Sequence, residues 1–145
     1  MMRMAIHHRG FTLVEMLIVI SIISILAAIA YPSYREQVRK TQRTEAKTAL
    51  SDTAQRLERC YTQFNVYNDT DDCTIASTLS PAGTGSFDTE EGHYTITATA
   101  LGASSFTLRA ARKDGDDSRC GNFVLNHLGQ RGSLGTIGSD ANDCW

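Results

Sequence analysis

The sequence predicts an α+β chain, in which a long N-terminal α-helix packs on a three- or four-stranded antiparallel β-sheet. Three observations carry this expectation. From Phe11 to Ala30 the only polar residues are Thr12, Glu15, Ser21 and Ser24. Beyond Pro32, apolar residues recur at three- and four-residue spacings as far as Phe64. After Gly92, two segments alternate apolar and polar residues and are rich in β-formers.

The chain has 145 residues, enough for one domain plus an appendage. Its net charge is −2, and without Arg3 and Arg9 it would be −4 (12 basic against 16 acidic). Neither value fits the strongly basic surface that nucleic acid selects, so no nucleic-acid partner is expected. Cys60, Cys73, Cys120 and Cys144 all follow the apolar run. An even number on that side fits two disulfides in an oxidising compartment.

The first element is the apolar helix. A hydrocarbon core about 30 Å thick needs about 20 apolar residues as helix, and Phe11–Ala30 meets that length. Arg3, His7, His8 and Arg9 form a basic leader that meets Gly10 before the apolar run begins. An ordinary secretory signal has its cleavage site after the apolar region. A cut after Gly10 would instead leave the helix in place, with Phe11 as its new N-terminus. The alternative is an anchor that is never cut. Arg3 and Arg9 favour a cytoplasmic leader, while Arg35, Arg39, Lys40 and Arg43 follow the far end. Long domains translocate largely regardless of charge, and with the cysteines this places the C-terminal part outside.

Glu15 stands out because a carboxylate facing lipid is expensive and usually faces a protein partner. A position near the headgroups would make it inexpensive. Pairing with a freed amine on Phe11, within a chain or between chains, would make it useful.

The second half of the helix, to about Phe64, carries Ala46, Ala49, Leu50, Thr53, Leu57, Cys60, Tyr61 and Phe64 on one face. Arg43, Lys47, Asp52, Arg56 and Arg59 are assigned to other faces. Pro32 removes an N–H and crowds the carbonyl of Ala28, so a kink or flex point is expected there. Ser33 and Glu36 have the spacing of a capping box that restarts a helix.

Residues 65–91 read as a long connection rich in turn residues and acids. Strands follow in "HYTITATA" and "SSFTLRAAR", with a third around Asn122–Asn126 before a Gly-rich turn. Four cysteines permit three pairings. Cys60–Cys73 and Cys120–Cys144 are favoured, since they would tie the helix end to its loop and the last strand to the chain end. Zinc is the rival, but no cysteine pair has the close spacing of structural sites, and no metal or cofactor is expected. His93 and His127 have no evident partner in sequence and read as satisfied surface residues. "RKDGDD" lacks the closing Glu of a calcium loop and reads as an acidic hairpin turn. No constellation supports an enzyme.

"RGFTLVEMLIVISIISILAAIAYPSY" resembles the N-terminus of type IV pilins and the related pseudopilins, with Gly, Phe and a Glu four residues on. The resemblance implies the type IV pilin fold, cleavage after Gly10 by a prepilin peptidase, N-methylation of Phe11, and registration of subunits by Glu15. It also implies a bend at Pro32. "CGNFVLNHLGQRGSLGTIGSDANDCW" is similar to PilE-type minor pilins through Cys120, Leu125, Asn126, Gly129, Arg131, Gly132, Asp143, Cys144 and Trp145. It implies a disulfide-bounded D-region from Cys120 to Cys144. The expected organisation is a leader (1–10), a membrane and filament-core helix (11–32), an amphipathic helix (33–64) and a globular head (65–145). The implied function is a minor pilin that promotes pilus assembly, in adhesion and twitching motility. A major pilin or a secretion pseudopilin is the alternative. Implied partners are other major and minor pilins, the peptidase, the inner-membrane assembly platform and the inner membrane. The implied location is the inner membrane, with a periplasmic head, and later the extracellular pilus.

Overall fold

The computed structural model describes residues 11–115, 117–139 and 144–145. The expected leader with Gly10, and Asp143 of the closing motif, lie outside them. The chain divides into two compact units, one ending at Val38 and the other Arg39–Trp145.

A single helix, α1, runs Leu13–Phe64 and contains Pro32 in its interior. Ser33 and Glu36 therefore do not open a new helix, contrary to the capping-box expectation. Thr12 caps the true start, accepting the Glu15 N–H on its hydroxyl at 3.2 Å, which satisfies one of the orphan donors of a helix N-terminus.

The second unit is built on the later part of α1. Arg43, Ala46, Leu50, Thr53 and Leu57 are its buried residues, one helical stripe at spacings of three and four. Leu50 and Leu57 are wholly buried, each worth about 1.5–3 kcal/mol relative to exposure. Ala49, Cys60 and Tyr61 pack at the margin of that core, whereas Phe64 is exposed. Arg43 is thus on the core face, not among the outward charges where the sequence placed it.

The sheet has five antiparallel strands in chain order: β1 (Ser86–Asp88), β2 (Tyr94–Leu101), β3 (Phe106–Arg112), β4 (Phe123–Asn126) and β5 (Arg131–Gly132). β2 and β3 follow the two alternating segments, and β4 falls where the third strand is expected. Tyr94, Ile96 and Ala98 of β2 and Phe106, Leu108 and Ala110 of β3 point inward, the period-two pattern of a sheet with one buried face. The edge strands β1 and β5 are shorter than the sequence signal can register. The connection 65–91 also holds a short helix, α2 (Thr74–Leu79), with Ala76 and Leu79 buried.

Two covalent links close the head. Cys60 at the end of α1 is bonded to Cys73 just before α2, with Cα atoms 5.8 Å apart. Cys120 is bonded to Cys144, with Cα atoms 5.6 Å apart. Between them Tyr67 fills the space after α1, stacked on Tyr61 at 4.5 Å and edge-on to Phe106 at 5.0 Å. Burial and the hydrogen bond to Glu58 push the Tyr67 hydroxyl up to about 12.

Candidate functional site: the apolar helix and the disulfide-bounded loop

An 18-residue stretch of α1 is long and apolar enough to cross a membrane, and none of it is buried within the chain. Its large side chains lie open, with Ile25 63% and Ile29 71% exposed. Ser21 donates its hydroxyl to Leu17 O at 2.7 Å and Ser24 to Ser21 O at 2.8 Å. Both hydroxyls are thereby satisfied within the helix, as an apolar surrounding demands. Glu15 is exposed in the first turn, beside Phe11 and Thr12. The positive end of the helix dipole favours a carboxylate there. Lipid or other apolar helices are surroundings that suit such a surface.

The loop between Cys120 and Cys144 has a local physical account. Asn126 ends β4 and its side-chain oxygen accepts the N–H groups of Leu128 and Gln130, at 3.1 and 2.9 Å. Gly129 takes φ +72° in this turn, a conformation open to glycine and strained for most residues. β5 then pairs with β4 through Arg131 and Gly132. A Cβ on Gly132 would lie 1.8 Å from Thr136 O, so only glycine admits this close approach. The Gly132 carbonyl accepts the Trp145 indole N–H at 2.6 Å. Trp145 in turn packs edge-on against Phe123 at 5.6 Å and beneath the Arg131 guanidinium at 5.3 Å. The described residues singled out between Leu125 and Trp145, Asp143 excepted, therefore draw the chain end back to the last strands.

Arg43 and Asp117 are a buried pair that sequence reasoning missed. Arg43 Nε donates to Asp117 Oδ2 at 2.7 Å and Nη2 to Oδ1 at 3.0 Å. Burial would raise the Asp117 carboxyl, but Arg43 and the Cys120 N–H hold it below its ordinary range. Asp117 is thus no part of a solvated acidic turn. Arg43 had a signal in sequence, being three residues before Ala46 in the phase of the apolar stripe. Asp117 had none.

His93 is half-buried and has a partner. Its Nδ1 lies 2.8 Å from Glu45 Oε2, on α1. His127 is edge-on to Phe106 at 6.2 Å.

An apolar helix start, an α+β head and a disulfide-bounded terminal loop are the parts of a type IV pilin. Residues 7–31 match the prokaryotic N-terminal methylation motif. Residues 32–124 match the family described as "Type IV minor pilin ComP, DNA uptake sequence receptor". That match spans well over half of the chain, which therefore belongs to this family of minor type IV pilins. Among solved structures, the chain is similar to the non-core minor pilin PilV of Neisseria meningitidis, with 22% identity and a TM-score of 0.51 over 73% of this chain and 96% of that one. It is also similar to a type IV pilin from Shewanella oneidensis, with 25% identity and a TM-score of 0.46 over the same shares. The first shows the pilin fold. No curated protein matches the chain.

Proposed function

We propose that this minor pilin is cleaved after Gly10 by a prepilin peptidase and N-methylated at Phe11. It is then held in the inner membrane by residues 11–32 with its head in the periplasm. From there it passes from the assembly platform into an extracellular type IV pilus, as a scarce subunit that promotes initiation. Glu15 pairs with the Phe11 amine of a neighbouring subunit and sets its register, and Pro32 is the point of flexure. The observation that supports this reading best is the uncovered apolar half of α1, interrupted by one carboxylate at its start. Lipid covers the apolar side chains before assembly, and like helices cover them afterwards. Pili in which this subunit takes part serve adhesion and twitching motility.

Mass spectrometry of sheared pili and of the membrane fraction tests it. A peptide starting at methylated Phe11, well below the main subunit in sheared pili, is the expected result. Mature protein confined to the membrane would favour a pseudopilin-like role. A chain retaining Met1–Gly10 in both fractions would overturn the maturation scheme.

The family's description adds a second reading, reception of DNA, against the expectation of no nucleic-acid partner. Its support on this chain is a shallow depression of about 470 Å³ whose lining includes Lys47, Gln55, Arg131 and Trp145. Cations next to an aromatic ring are the side chains that backbone phosphates and unstacked bases select. Against it, Asp52 lines the same depression. Fluorescence anisotropy with labelled duplex DNA separates the two, since a receptor binds with a steep salt dependence that Arg131→Ala reduces.

A further inference from the structure

Glu45, Glu91 and His93 come together although they are distant in sequence. Glu45 is on α1, while Glu91 and His93 flank Gly92 in the turn between β1 and β2. One ligand atom from each lies within 4.8 Å of the others. The Glu45 side chain is only 13% exposed. Its Oε2 meets His93 Nδ1 at 2.8 Å, while its Oε1 is buried without a partner. A pairing of Glu45 with His93 accounts for one carboxylate oxygen and leaves the other desolvated, at a cost of about 1–3 kcal/mol or more for a charged group.

The turn that carries the other two groups is anchored at its ends and open at its tip. Thr89 N–H donates to Tyr94 O at 2.9 Å, and Lys113 N–H donates to His93 O at 3.1 Å. His93 is therefore fixed, whereas Glu91 is exposed beside Gly92, at φ +76°. Glu91 is free to close the last part of the gap. Metal–ligand bonds of about 2.0–2.2 Å require such a contraction.

We propose that Glu45, Glu91 and His93 form a divalent-cation site that fastens the β1–β2 turn to α1. One imidazole and two carboxylates are the donor set of zinc or manganese; all-oxygen sites suit calcium and magnesium. Three protein ligands leave at least one coordination position for water. The cation takes the His93 Nδ1 lone pair, with the ring proton on Nε2, and gives Glu45 Oε1 the partner it lacks. The site lies in the head, on the later part of α1 and the β1–β2 turn, and does not include the apolar start of that helix.

Calorimetric titration of the full chain in detergent with zinc chloride tests the proposal, with cobalt(II) as a spectroscopic probe. His7 and His8 precede the helix and are a rival zinc site, so the variants decide. The wild type is expected to bind one zinc through the head. His93→Gln and Glu91→Gln should each weaken it about tenfold or more and abolish the visible cobalt bands. Glu91 is exposed on a turn tip, so Glu91→Gln keeps the test valid if His93→Gln misfolds. No heat on titration of the wild type to millimolar zinc, or binding unchanged in both variants, would overturn the site.

Discussion

Removing the Arg43 side chain should destabilise the head more than any exposed substitution. The Arg43–Asp117 pair is bidentate, at 2.7 and 3.0 Å, with side-chain exposures of 9% and 1%. Arg43→Ala leaves the Asp117 carboxylate desolvated, with the Cys120 N–H at 3.2 Å as its remaining donor among the described contacts. Breaking a buried pair in this way costs about 3–5 kcal/mol, a large part of the 5–15 kcal/mol that stabilises an ordinary domain. Urea unfolding of the full chain in detergent measures it, with the single tryptophan, Trp145, as reporter. Arg43→Lys should lose an intermediate amount, because an ammonium cannot match the carboxylate with two parallel bonds. The double variant Arg43→Met, Asp117→Leu should be near neutral, since it leaves no orphaned charge. The pH dependence supplies a second sign. In the wild type the Asp117 carboxyl is held low, so its contribution is present above about pH 4 and is lost as pH falls through the depressed value. In Arg43→Ala burial acts on a carboxyl left with the Cys120 N–H and the Arg112 charge alone, so it is raised instead and acidification from pH 7 should recover stability. A loss below about 1 kcal/mol in Arg43→Ala, or stability that only falls with acid, would refute the reasoning.

Gly132→Ala forces a Cβ against Thr136 O; a loss of about 1–3 kcal/mol with a red-shifted Trp145 emission is expected in the same unfolding assay. Replacing Cys120 and Cys144 by serine opens a loop of sequence separation 24, which on the chain-entropy model costs about 3–4 kcal/mol, read as a lower urea midpoint. The Tyr67 hydroxyl is raised from 10.0 to about 12, so its stabilising contribution is complete below pH 10 and is lost as pH rises through 12. Absorbance at 295 nm during alkaline titration should show late tyrosine ionisation that Tyr67→Phe reduces, with Tyr94, also raised by burial, as the remainder. Glu15→Ala should be processed normally yet assemble poorly; unaltered piliation, counted by electron microscopy, would sink the registration role.

The central strands, the length of α1 and its buried stripe were legible because period alone reports which face is covered. Ala46, Leu50, Thr53 and Leu57 declare themselves in this way. β1 and β5 were not legible: Ser86–Asp88 and Arg131–Gly132 are too short to show a period, and each exists because a longer neighbour offers it a free edge. α2 was hidden for a similar reason, since its short span follows Cys73, which is bonded to Cys60. The buried Arg43–Asp117 pair failed to register because charge was read as exposure. Polarity alone is a poor guide where a helix phase and a distant loop can bring opposite charges together.

The two parts of α1 answer to different selections, which explains why only one was readable as a site. From Arg39 onward the helix must match a particular sheet, so each inward residue has a defined neighbour. From Phe11 to Ala30 nearly every residue is apolar, so apolar character is present all round. Such a surface does not specify its partner by shape. A polar group placed among apolar ones is what can distinguish one axial register from another, because a misplaced carboxylate stays desolvated and unpaired. Ser21 and Ser24 cannot do this, their hydroxyls being satisfied by carbonyls within the helix. On the proposed assembly, Glu15 is the group with the required charge, in the first turn of the helix where a neighbour's amine could reach it.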